Sequence, residues 1–278
     1  MHIPVLLNEV IEYLDPKPNE NFVDCTVGQG GHAMAILEKT APSGKVLGID
    51  LDKDKIASIK NDRLILVNNN FANLKNILES NSFKQVDGIL LDLGFSSEQL
   101  EGRGLSFLRD EPLDMRLGQD IELTAKQIVN DWSEQEIEKI IREYGEEKFS
   151  KKIAKLIVQS RPLATTTELA SVIAKVVKFS KINPATRTFQ ALRIAVNGEL
   201  DNLEKVLPDA LLALKTGGRL AVISFHSLED RIVKNFFKDK AKENLLKILT
   251  NKPITATSLE LSQNPRSRSA KLRVATKI

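Results

Sequence analysis

Apolar and polar positions follow two periods along this chain, and the changeover between them divides it. Short apolar runs ending in an acid or a turn residue predict strands at Asn21 to Asp24, Lys45 to Asp50, Leu64 to Val67 and Val86 to Gly94, with a fifth at Arg219 to Ser224. The near-continuous apolar run from Ile89 to Leu93 is what a parallel strand covered on both faces requires. Between these runs the spacing is helical: Leu6, Leu7, Val10, Ile11 and Leu14, then Ala33 to Lys39, then Asp54 to Lys60. Strand and helix alternate through this region, which predicts βαβ units and an α/β fold on a parallel sheet.

After Gly94 the pattern changes. From Phe95 to Arg116 the chain is rich in Gly, Ser, Arg and Asp, but Leu105, Phe107, Leu113 and Met115 predict an ordered loop folded back on itself. Thr124 to Lys178 contains only helical periodicity and is read as an all-helical insert. A long helix follows, with Asn183 as N-cap and Pro184 in its first turn. Phe189, Leu192, Val196, Leu200 and Leu203 form its apolar stripe, while Thr186, Gln190, Arg193 and Asn197 share another side. Those polar residues either read a base edge and a phosphate or form a packed seam between two domains. Pro208 is read as the start of another helix, ended by Gly217 and Gly218, and Ser227 as the cap of a helix with Asp230 three residues on. The alternation from Leu272 to Thr276 predicts a closing antiparallel strand. These elements divide into a discontinuous sheet domain, 1–107 with 205–278, and a substrate-recognition helical insert, 108–204.

The chemistry concentrates where the first strand turns into a helix, Asp24-Cys25-Thr26-Val27-Gly28-Gln29-Gly30-Gly31-His32. Glycines there let the backbone take positive φ and let a ligand approach the amides of a helix N-terminus. Asp50 ends the second strand twenty positions after Gly30, the spacing at which a carboxylate takes two ribose hydroxyls. Gly28, Gly30 and Ala33 also satisfy the loose dinucleotide pattern, so a nicotinamide cofactor and an oxidoreductase stand as one alternative. Asp24 argues against it, because a carboxylate before the turn would face the charges of a pyrophosphate. S-adenosylmethionine (SAM) brings an ammonium and a sulfonium to that position along with a ribose diol and an adenine. Asp92 ends the fourth strand, so three acids gather at one sheet edge, an arrangement that calls for a cation. Phe71, after the third strand, either stacks on adenine or belongs to the core.

Composition adds little to this and excludes some things. With 278 residues, 42% hydrophobic and 28% charged, the chain is long enough for a real core. No run approaches the roughly twenty apolar residues of a membrane span, and no signal core follows the start, so a cytoplasmic chain without membrane attachment is expected. One cysteine and three histidines make neither an internal disulfide nor a zinc constellation, and no metal is expected. A net charge of +3 leaves nucleic-acid binding to local clusters, and Arg266, Arg268, Lys271 and Arg273 form one. His226 either donates to substrate or satisfies a local carbonyl.

Val5 to Glu9, Asp24 to His32, Leu91 to Leu100, Arg103 to Phe107, Leu113 to Arg116, Tyr144 to Glu147, Pro184 to Ile194, Ser224 to Lys234 and Asn264 to Arg273 carry a resemblance over nearly the whole chain. In these runs the sequence resembles the bacterial 16S ribosomal RNA cytosine-N4 methyltransferase family, RsmH or MraW. The resemblance implies a class I SAM-dependent fold, Rossmann-like with a mostly parallel seven-stranded sheet, and action on a P-site cytosine of 16S rRNA in the small ribosomal subunit. It implies cofactor contacts from Gly30, Gly31, His32, Asp50, Phe71, Asp92 and Gln99, to which the glycine turn adds Gly28. Asp92, Ser96 and Ser97 are the candidates for accepting the target amine's protons. Arg103, Arg116, Arg187, Gln190, Arg193, His226, Arg266, Arg268 and Lys271 are the candidates for RNA contact. A non-catalytic ribosome-assembly protein that binds RNA is the remaining alternative.

Overall fold

A computed structural model of the chain describes residues 3–94, 102–118, 120–177 and 183–278. Two compact units emerge, Met1–Gly94 with Leu200–Ile278, and Phe95–Glu199.

The first unit is built on a seven-stranded sheet. Its strands are β1 (Phe22–Asp24), β2 (Val46–Asp50), β3 (Leu64–Asn68), β4 (Val86–Asp92), β5 (Leu214–Ser224), β6 (Leu246–Ile248) and β7 (Lys271–Lys277). Their order is β3-β2-β1-β4-β5-β7-β6. The first five run parallel and β7 runs antiparallel to both β5 and β6. The order reverses between β1 and β4, and an open parallel sheet binds ligands at the carboxyl ends of such a switch point.

Period-2 alternation splits the strand residues between two layers. Val23, Leu47, Ile49, Ile89, Leu91, Leu220 and Val222 pack with Leu203, Val206, Leu207 and Ala210 of α10 (Glu199–Ala213) and with Val233 and Phe237 of α11 (Ser227–Lys242). Phe22, Val46, Leu90, Ala221 and Ile223 pack on the other side with Val10 and Leu14 of α1 (Leu7–Leu14) and with Ala33, Ile36 and Leu37 of α2 (Gly31–Lys39). Helices α3 (Lys53–Ala57) and α4 (Leu74–Ser80) follow β2 and β3 in the chain. With both faces covered, the strands carry apolar residues at almost every position, as the sequence pattern predicts.

Among the described residues, the second unit packs the helices α5 (Ala125–Asp131), α6 (Glu134–Glu143), α7 (Ser150–Gln159), α8 (Thr166–Ala174) and α9 (Thr186–Asn197). Thr124 with Gln127, Ser133 with Glu136 and Thr165 with Glu168 form capping boxes that start α5, α6 and α8. Leu113 and Met115 are fully buried in its core, and Phe107 stacks edge-on against Phe189 with centroids 5.4 Å apart. The part of the irregular segment that the structure describes, residues 102–118, thus belongs to this unit.

Several sequence expectations need correction. Asn183 accepts the N–H of Ala185 through Oδ1, making a turn ahead of α9 rather than its cap, and the helix starts at Thr186. Gly198, with φ 58°, ends that helix, so the apolar stripe from Phe189 to Leu203 spans two helices. Pro208 lies inside α10 instead of opening it. It is exposed, so the backbone carbonyl left without an N–H partner faces solvent. Strand β5 starts at Leu214, ahead of Gly217 and Gly218, with a register shift against β4 between Val86 and Gly88. The cap of α11 is His226, paired with Glu229, one residue earlier than Ser227 with Asp230. Strand β6 is three residues long and has no alternation to reveal it.

Candidate active site at the carboxyl edge of the sheet

Residues Asp24, Asp50 and Asp92 end the adjacent strands β1, β2 and β4. Thr26 and the glycine turn bind these ends together. Thr26 donates its N–H to Asp24 Oδ1 (3.1 Å), and its Oγ1 accepts the N–H of Asp92 (2.7 Å). Gly28 donates to Asp50 Oδ2 (2.8 Å) and Asp52 to Asp50 Oδ1 (2.9 Å). Each Asp50 oxygen keeps a further lone pair, so the carboxylate still has capacity for a ribose diol.

Gly30 sits at φ 82° as the N-cap of α2, a conformation that a Cβ would strain. Gly31 opens the helix, and a Cβ there would lie 2.3 Å from Pro4 Cγ. The next residue, His32, is buried, with Nε2 2.9 Å from the Val5 carbonyl and Nδ1 3.8 Å from Asp92 Oδ2. The Nε2 contact requires that nitrogen to carry a proton, which turns Nδ1 toward Asp92.

Asp24 is the unusual member. It is 1% exposed, and its Oδ2 has no hydrogen-bond partner among the described residues. Burial pushes its carboxyl up to about 6; nearby His32 pulls the other way, and Asp92 and Asp50 add to the rise. An unpartnered buried carboxylate costs free energy that a cation could relieve. This is the observation on which the fit of SAM rests: an orphaned acid for a positive group, a second acid with spare acceptors for a ribose, and a glycine turn open to close approach.

The remaining expected cofactor residue in the described chain, Phe71, is half-buried and packs on the sheet core. Its preceding residue Asn70 accepts the N–H of Ala72 and fixes the turn after β3. Ser96, Ser97 and Gln99 lie outside the described residues. Phe225 covers Gly94 closely enough that a Cβ there would lie 2.7 Å from the ring.

The residues considered for RNA contact fall into two groups. Most hold partners within their own unit. Arg116 clamps Asp114 through Nε and Nη2, both at 2.8 Å, and donates Nη1 to the Ile121 carbonyl. That guanidinium holds the Asp114 carboxyl below the usual carboxylate range. Arg103 donates to the Leu117 carbonyl, Gln190 to the Tyr144 carbonyl, and Arg193 makes two bonds to Glu199 at 2.8 and 3.0 Å. Arg187 reaches the Glu146 carbonyl and lies 3.6 Å from Glu147, but is 43% exposed. His226 accepts the Glu229 N–H at Nδ1 (3.4 Å), and its Nε2 lies 3.1 Å from Glu229 Oε1 in a geometry that is not a hydrogen bond. Lys271 lies 3.6 Å from Asp230, which Arg273 also engages at 2.6 Å. Arg266 and Arg268 differ: both are exposed on the short 3-10 turn Pro265–Ser269 and make no ion pair among the described residues.

Thr26, which joins two strand ends, had no distinctive sequence signal. Asn197, from the polar side of α9, ties the loop before α5 to that helix by accepting the Leu117 N–H and donating to the Met115 carbonyl. The seam considered for the polar side of α9 thus includes bonds inside the second unit. Among the described residues, no helix is long and apolar enough to cross a membrane.

The MraW methylase family model matches residues 1–278. Similar curated proteins include ribosomal RNA small subunit methyltransferase H of Heliobacterium mobile, 50% identical over all of this chain and 99% of that protein. The protein of the same name from Clostridioides difficile is 46% identical, covering 100% and 99%. The one from Thermotoga neapolitana is 48% identical, covering 99% and 95%. Among solved structures, an rRNA methylase from Streptococcus thermophilus aligns over 100% of this chain and 99% of its own at 11% identity and a TM-score of 0.46, too distant to bear on the site.

Proposed function

Because this chain belongs to the MraW methylase family, we propose that it methylates small-subunit ribosomal RNA, transferring the methyl group of SAM to N4 of a P-site cytosine in 16S rRNA. The observation that carries the reading is the buried, orphaned Asp24 oxygen beside Asp50 and Asp92 at the switch point of the sheet. A pyrophosphate would meet that acid unfavourably, which counts against a nicotinamide cofactor.

SAM is the methyl donor, and when bound it supplies an electrophilic methyl on a positively charged sulfur. Asp50 would hold the ribose hydroxyls, the amides after Gly28 would lie against the donor, and Phe71 would border the adenine. A cytosine amine is a weak nucleophile, because its lone pair is delocalised into the ring. The chain's task is to hold that nitrogen in line with the methyl and to accept its hydrogens, so the lone pair turns out of the ring. Orientation alone can supply several kcal/mol, up to about 7–11 in the best intramolecular cases. Asp92 is the carboxylate suited to accept an amine proton. Its backbone is fixed by Thr26, and its Oδ2 faces His32, a group able to balance its charge. Ser96 and Ser97 follow it in the chain and are the further candidates.

RNA affinity comes first from Arg266 and Arg268, whose exposed guanidiniums suit phosphate contact. Arg187 joins them from the helical unit. Arg103, Arg116, Gln190, Arg193, His226 and Lys271 act on RNA only by sharing or exchanging their present partners, and otherwise hold the loops in place. The target base is unstacked and read at its Watson–Crick edge. Incubation with methyl-labelled SAM and small subunits lacking the modification, followed by digestion to nucleosides, tests the proposal. The expected product is labelled N4-methylcytidine; label on another nucleoside, or RNA binding with no transfer, overturns it.

A further inference from the structure

We propose that Asp24 couples donor binding to proton release: its carboxyl gives a proton to solvent as the donor's cation arrives, which makes a positive charge a condition for tight binding. The inference rests on the SAM reading above and goes further, assigning Asp24 the role of a specificity-determining residue.

The backbone gives this carboxyl little freedom. Asp24 ends β1 between β2 and β4, Cys25 donates its N–H to the Leu90 carbonyl (2.9 Å), and the Thr26 N–H occupies Oδ1. Oδ2 is left buried and without a partner. The titratable groups that face Asp24 are His32 from α2, Asp92 from β4, Asp50 from β2 and the adjacent Cys25, whose thiol burial and the Asp24 charge push well above its usual range. Among the described residues no lysine or arginine makes an ion pair with Asp24. His32 can carry positive charge, but its two nitrogens are aimed at the Val5 carbonyl and at Asp92. The neutral acid is therefore the prevailing form up to about pH 6 when no cation is present, in keeping with a carboxyl that burial pushes up to about 6. A cation bound at the neighbouring strand ends lowers the cost of the charged form through its field, so the acid ionises and the proton goes to solvent. Charge and atoms balance: a protonated carboxyl plus a cationic donor give a carboxylate–cation pair plus one released proton.

The test is calorimetric titration of the full chain with SAM at pH 5, 6, 7 and 8, each in two buffers of different ionisation enthalpy. With a carboxyl titrating at about 6, SAM should bind about tenfold more weakly at pH 5 than at pH 7, and release about half a proton per donor at pH 6. 5′-Methylthioadenosine, with the same ribose and adenine but no cation, should release none. Asp24→Asn should bind SAM with an affinity flat from pH 5 to pH 7 and without proton release there; at pH 8 the donor's own ammonium titrates. Should that variant fold poorly, the two-buffer measurement on the unmodified chain still decides. SAM binding without proton release, or release that persists in Asp24→Asn, overturns the inference and leaves the SAM reading standing. No SAM binding at any pH overturns that reading itself.

Discussion

Replacing Asp24 with Asn should change how the stability of the sheet unit depends on pH. In the folded chain the carboxyl is raised from 3.8 to about 6 because it is buried, so the folded state binds this proton more tightly than the unfolded state. For an acid shifted in this direction, the favourable contribution is present at low pH and is lost as pH rises through 6. Relative to Asp24→Asn, the unmodified unit should gain about 1 kcal/mol between pH 7 and pH 5, and about 2 kcal/mol by pH 4. The side chain is 1% exposed, so solvent screening does not reduce these values. An unsatisfied amide in the variant shifts the whole difference by a constant and leaves the slope intact. Native-state hydrogen exchange of the β1 and β4 amides reads this unit without mixing in the helical one. A difference that stays flat from pH 7 to pH 5 would refute the reasoning from burial.

Gly31→Ala places a methyl 2.3 Å from Pro4 Cγ, which displaces the start of the chain and the Val5 carbonyl that orients His32. Thermal unfolding should report a loss of about 1–3 kcal/mol. Arg266→Ala and Arg268→Ala should each lower the slope of log affinity for RNA against log salt by about 0.7 to 0.9 while SAM affinity is unchanged, as filter binding at several salt concentrations would read. Asn197→Ala removes the acceptor for the Leu117 N–H and the donor to the Met115 carbonyl, at a cost of about 1–3 kcal/mol, visible as faster exchange of the Leu117 amide.

The strands of the parallel sheet were legible because both faces are covered, so Val46 to Ile49 and Ile89 to Leu91 leave no ambiguity of period. The acids at their tips follow directly, since a strand end fixes which residue reaches the edge. Helix starts such as Ser133 with Glu136 follow the capping-box spacing, but helical periodicity alone marked the helices of that region and not their first residues. What the sequence concealed depends on which partner each polar side chain meets in the fold. Gln190 and Arg193 have the composition of a recognition face, yet they bond Tyr144 and Glu199, and no local spacing announces that. His226 displaced Ser227 as a cap because an imidazole nitrogen can accept as a hydroxyl does. The orphaned oxygen of Asp24 emerges only when the surroundings of the side chain are known.

Equilibrium dialysis of methyl-labelled SAM against the unmodified chain and Asp50→Ala tests most directly whether the acid-tipped sheet edge holds the donor. One equivalent should be retained by the unmodified chain, and about tenfold or weaker affinity should follow the loss of the Asp50 carboxylate. No retention by the unmodified chain, or an unchanged affinity in a folded Asp50→Ala variant, would contradict the claim.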